Sequence, residues 1–174
     1  MLIRALMLTS ALVLAGPVVA QDNATPAAAA QAAITDTAQF AAMASVSNMF
    51  EIQSSELAME RAVSEEVKAF AQQMIADHTK AGDDMATAAG EEGATPASEL
   101  DQKHQDILNT LGSLEGEAFD AAYIEAQVQA HDEAVTLFEG FAANGSEGPL
   151  KAFAAATLPT LQQHQAHVHE MAAM

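Results

Sequence analysis

The chain has 174 residues, enough for one domain with a real core, and 24 acidic residues against 6 basic ones give a net charge of −18. That balance repels nucleic acid and anionic lipid surfaces and favours cations or basic partners. It holds no cysteine, which removes disulfides, thiolate metal sites and cysteine nucleophiles together.

The first twenty residues read as a secretory signal. Arg4 supplies the positive start, Leu6 to Ala15 form an apolar run broken only by Thr9 and Ser10, and Val18-Val19-Ala20 offers small residues for cleavage. The expectation is a periplasmic or secreted protein that begins near Gln21, and no later segment is apolar over a membrane-spanning length. Residues 21–35 are rich in Ala, Gln, Thr and Pro without an apolar period, which predicts a flexible linker. Residues 36–174 then form the folded domain.

Four long helical patterns follow. The first spans about 36–61, with Asp36 as its cap and Gln39 three residues on. Its apolar positions are Phe40, Met43, Val46, Phe50 and Leu57. Ser64 caps the second, whose stripe runs Val67, Phe70, Met74, His78, Ala81, Met85 and Ala88 until Gly90 and Pro96 interrupt it. A shorter amphipathic piece covers 98–111. The third long helix, about 117–143, carries Ile124, Val128, His131, Val135 and Phe138 in 3-4 spacing, and Asn144-Gly145 ends it. Pro149 is suited to the first position of the fourth, which carries Leu150, Phe153, Thr157, Leu161, His164, Val168 and Met171. Strand patterns are nearly absent. Two short connections and one long middle one, with its own short helix, predict an all-α, ferritin-like four-helix bundle with a crossover between the second and third long helices.

His78, His131 and His164 each fall in the core stripe of a different helix. If the second and third helices run parallel, as the crossover requires, His78 and His131 share a height. Reflection about the turn near 145 leaves His164 about 6 Å away along the axis. Three imidazoles suit Zn, Cu or Fe, and bundle cores are where such sites are built. Glu51, in a line of small residues on the first helix, is the candidate acid to complete the set. Asp77, Asp132 and Tyr123 are candidates to orient the rings. The competing reading of the same residues is a hydrogen-bonded polar layer. His104, His167 and His169 are expected in solvent. Seven methionines follow residue 20; their helical spacing makes them gap-fillers before it makes them copper ligands.

No reaction follows from these residues. No Gly-x-Ser-x-Gly elbow, phosphate loop or dinucleotide fingerprint is present. A third reading, an iron oxidase or storage protein, would need a two-iron carboxylate site, and the absence of Glu-x-x-His, the di-iron signature, counts against it. Pro159 lies inside the fourth helix, where it frees the carbonyl of Ala155.

The stretch from Glu65 to Ala81, which contains Asp77-His78-Thr79, resembles a motif of an exported bacterial family known as domain of unknown function 4142. So do Phe119 to Ile124, His131 with Phe138-Glu139, and Leu158-Pro159-Thr160-Leu161-Gln162-Gln163-His164. The resemblance covers about residues 36–171 and implies export and a ferritin-like bundle. It implies no activity. Members of the family often carry an acid at the position of Glu51 and another two residues on, where this chain has Gln53. The sequence therefore supports an exported bundle that binds a divalent transition metal. Its alternative is a non-enzymatic envelope or stress-related protein acting through its acidic surface on an unidentified protein partner.

Overall fold

A computed structural model describes residues 35–174; the signal segment and nearly all of the linker lie outside them. The described residues fold into five helices with no strand: α1 (Thr37–Arg61), α2 (Glu65–Glu92), α3 (Gln102–Gly112), α4 (Gly116–Asn144) and α5 (Pro149–Ala172). The caps explain the boundaries. Asp36 accepts a 2.7 Å bond from Gln39 N, and Ser64 accepts one from Val67 N. Gly93, at φ 70°, ends α2 in the left-handed conformation that glycine adopts without strain. The short helix begins at Gln102, later than the expected Ser98, because the Asp101 side chain caps it through His104 N.

The long helices form two antiparallel hairpins, α1–α2 and α4–α5, with α1 facing α4 and α2 facing α5. Cross-helix contacts set their directions. Ser55 meets Tyr123 and Phe40 stacks on Phe141, so α1 and α4 are antiparallel. Glu92 meets Leu150 and Asp77 meets His164, so α2 and α5 are antiparallel too. Helices α2 and α4 are then parallel across the diagonal. Residues 93–115 must cross from one end of the bundle to the other, and α3 lies along this crossover against α1 and α4. This is the long crossover between the second and third long helices that the sequence predicts.

The buried face of α1 differs from the expected stripe. Ala41, Ala44, Ser54, Ser55 and Ala58 are buried while Met43 is 43% exposed. A helix enclosed by α2, α3 and α4 can approach them closely only through small residues, so the bulky Met43 is turned out. On α4 the buried line runs Tyr123, Gln127, His131, Ala134 and Phe138, while Ile124 and Val128 are only half-buried.

The core is divided. One apolar cluster gathers Phe40, Met85, Phe138, Phe141, Leu150 and Leu161 at one end; another gathers Phe50, Phe70, Met74, Phe119, Tyr123 and Val168 at the other. Between them lies a polar layer made largely of imidazoles.

Candidate metal centre

The geometry of that layer follows from topology. His78 of α2 and His131 of α4 reach the same height because their helices run parallel. His164 of α5 meets them because α4 and α5 fold back on each other. The ring centroids stand 5.9 Å apart for His78–His131, 5.7 Å for His78–His164 and 5.6 Å for His131–His164. One nitrogen from each ring lies within 4.8 Å of one from each of the others. All three residues are buried, with exposures of 5, 0 and 2%.

Each ring is oriented by one oxygen on its other nitrogen. His78 Nδ1 donates to Asn48 Oδ1 at 3.1 Å, His131 Nδ1 to the Gln127 carbonyl at 2.9 Å, and His164 Nε2 to Asp77 Oδ2 at 2.9 Å. Carbonyl and carboxylate oxygens only accept, so these nitrogens carry the protons and set the tautomers. The nitrogens that remain, His78 Nε2, His131 Nε2 and His164 Nδ1, are buried and have no partner. Each therefore presents a lone pair. Burial, and then the neighbouring His131, hold His78 well below the ordinary histidine pKa. Burial also lowers His164, against the pull of Asp77. His78 and His164 are thus kept neutral, the state in which imidazole ligates metal.

The other candidate residues fall around this core. Glu51 is 1% exposed with neither carboxylate oxygen hydrogen-bonded, and its Oε1 lies 3.8 Å from His131 Nδ1. It thus stands behind His131, on the side of the nitrogen bonded to Gln127. Burial raises its pKa, opposed by His131, Gln127 and His104. Asp77 does not orient its sequence neighbour His78; it reaches across to His164, with its side chain 40% exposed. Asp132 is turned away from the triad and accepts from Gln165 and His169 at the surface. Tyr123 bonds Ser55 at 2.9 Å, and burial pushes its phenol above the ordinary value. Asn48 and Gln127 were not among the sequence candidates. Gln127 serves His131 through its backbone carbonyl, one turn back on the same helix, while a polar side chain such as Asn48 carries no signal that it will face a particular histidine. His104, expected in solvent, is largely covered, bonded to Asp101 at 2.7 Å and 5.0 Å from the Phe50 ring. His167 packs edge-on to Phe70, while His169 is about half exposed.

Comparison with known proteins agrees with this architecture. The family described as Domain of unknown function (DUF4142) matches residues 22–171. The chain belongs to the DUF4142 family. This DUF4142 chain is also similar in structure to a DUF305 protein from Streptomyces coelicolor, described as secreted. The TM-score is 0.65 at 17% identity, over 77% of this chain and 88% of that one. At that identity the likeness shows the shared helical fold. No curated protein matches the DUF4142 chain. Among the described residues, no helix is long and apolar enough to cross a membrane.

Proposed function

We propose that this protein is an exported helical bundle that binds one divalent transition-metal ion through His78, His131 and His164. The observation that carries the reading is a trio of buried imidazoles from three helices, each offering a nitrogen within 4.8 Å of the others and each with one buried nitrogen that lacks a partner. An unsatisfied buried polar atom costs about 1–3 kcal/mol, so three together are hard to retain unless a cation satisfies them. The arrangement also has the outer partners that metal-bound histidines need, one acceptor behind each ring.

Three neutral nitrogen donors suit Zn, Cu, Fe or Ni. Bonds of about 2.0 Å in a tetrahedral set bring the donor nitrogens to about 3.3 Å apart. The three nitrogens, now within 4.8 Å of one another, would then draw inward by at most about 0.9 Å each. Glu51, the buried acid behind His131, offsets the charge of the ion, and the net charge of −18 draws cations to the surface. Export rests on the signal-like residues 1–20 and predicts a mature chain that begins near Gln21.

The test is elemental analysis of untagged protein recovered from the periplasm, beside a His78→Ala/His131→Ala double variant. About one metal ion per chain in the wild type, lost in a variant that still shows a helical circular dichroism spectrum, supports the site. Saturation at a hundred times Kd is also expected to stabilise the wild type by about 2.7 kcal/mol. No metal in either protein, and no thermal shift on adding zinc or copper, would leave a structural polar layer and turn the search to protein partners of the acidic surface.

A further inference from the structure

The two faces of the histidine layer are unlike each other. One turn to one side, at positions four residues from the histidines, lie Met74, Gln127 and Val168, all fully buried. That face is packed shut. On the other side, three residues from each histidine, lie Ala81, Ala134 and Leu161, and here the bundle leaves a small, partly open cavity of about 20 Å³. His78 lines it with Asn48, Ala81, Ala134, Phe138 and Leu161. The cavity exists because α2 and α4 are parallel: their alanines follow the histidines at the same height, and neither side chain fills the space.

A site of this size holds about one water molecule. His78, 5% exposed and with its Nε2 unpartnered, is the member of the triad that lines it. The walls are chiefly apolar, which favours small, weakly polar species over hydrated ions.

Resting on the metal reading above, we propose that the fourth position of the tri-imidazole centre opens into this cavity and accepts an exogenous ligand of one or two non-hydrogen atoms. Water and diatomic molecules fit that description; Ala81, Ala134, Phe138 and Leu161 leave little room for larger ligands.

The experiment uses the full mature chain loaded with Co(II), whose visible absorption reports ligand changes, titrated separately with cyanide and with imidazole. Equilibrium dialysis checks that the cobalt stays bound. The expected result is a saturable cyanide-induced spectral change and no response to imidazole. Ala81→Val and Ala134→Val, each adding two methyl groups to a wall, are expected to retain cobalt at wild-type stoichiometry. They should weaken cyanide binding by about tenfold or more, the scale of a methylene-sized change in a hydrophobic pocket. Two variants on different helices guard against one that fails to fold. A cobalt spectrum that cyanide leaves unchanged, an equal response to imidazole, or folded valine variants that bind cyanide as the wild type does would each overturn the proposal while leaving metal binding intact. Failure of the wild type to bind Co(II), Zn(II) or Cu(II) would instead remove the metal reading itself, and this proposal with it.

Discussion

At the scale of single residues, the polar layer sets up opposed titrations. In the metal-free protein His78 and His164 are held below the ordinary histidine value. As pH falls below about 6.5, the unfolded chain takes up protons that the folded chain refuses. Their contribution is therefore favourable at neutral pH and is lost on acidification. Glu51, raised from 4.5 by burial, works in the other direction. Between 4.5 and its higher folded value, the folded chain keeps a proton that the unfolded chain has released, so stability falls as pH rises through that window. Urea midpoints of the apoprotein are expected to drop between pH 7 and pH 5, less steeply in His78→Gln, and Glu51→Gln is expected to be more stable than the wild type at pH 8. Below the layer, Tyr123→Phe leaves the buried Ser55 hydroxyl without its partner and should cost about 1 kcal/mol in urea denaturation. Adding Ser55→Ala to that variant should recover most of the loss. Helical period alone made the three histidines legible in the sequence, since a stripe fixes phase. Two of the partners of their outer nitrogens were not legible. Asn48 meets His78 through the packing of α1 on α2, and Asp77 meets His164 rather than the neighbour beside it. Register between helices decides both, and a single chain's pattern does not contain it.

At the scale of elements, the ends of the bundle are fastened by acids that reach across hairpins. Asp120 of α4 accepts from Val63 N and Ser64 N at the turn into α2, and Glu92 at the end of α2 accepts from Leu150 N at the start of α5. Both carboxylates sit at helix N-termini, where the exposed N–H groups and the helix dipole favour negative charge. Asp120→Ala strands two N–H groups and should cost about 2–3 kcal/mol, measured by thermal or urea unfolding. A methyl group on Gly148 would run into the Glu92 carboxylate, so Gly148→Ala is expected to loosen the other end. Capping chemistry explains why the boundaries of α1, α2 and α5 were readable at Asp36, Ser64 and Pro149. The start of α3 was not, because Ser98 and Asp101 are both competent caps and only packing chooses between them. The inner face of α1 was misread for a related reason: in an alanine-rich helix the closest contacts belong to the smallest side chains, and Met43 yields its place to them.

At the scale of the whole molecule, the charge of −18 acts as a field. Raising ionic strength from about 0.01 M to 0.15 M shortens the screening length from about 30 Å to 8 Å. The apoprotein should melt at a higher temperature in the saltier buffer, while stopped-flow uptake of Zn(II) should slow. Unchanged uptake would mean that the surface charge plays no part in delivery. The topology itself was legible, since the length of the segment between α2 and α4 permits a crossing and two short turns demand hairpins. The division of the core by a polar layer emerges only once the hairpins are docked. That division has a mechanical meaning. One donor belongs to the first hairpin and two to the second, so an ion held by all three adds a bond across a seam otherwise held by the crossover, by packing and by hydrogen bonds such as those of Asp120 and Glu92. Such an ion is a clasp: halves cut apart within the crossover would hold together more tightly while it is bound and part more readily when a chelator removes it.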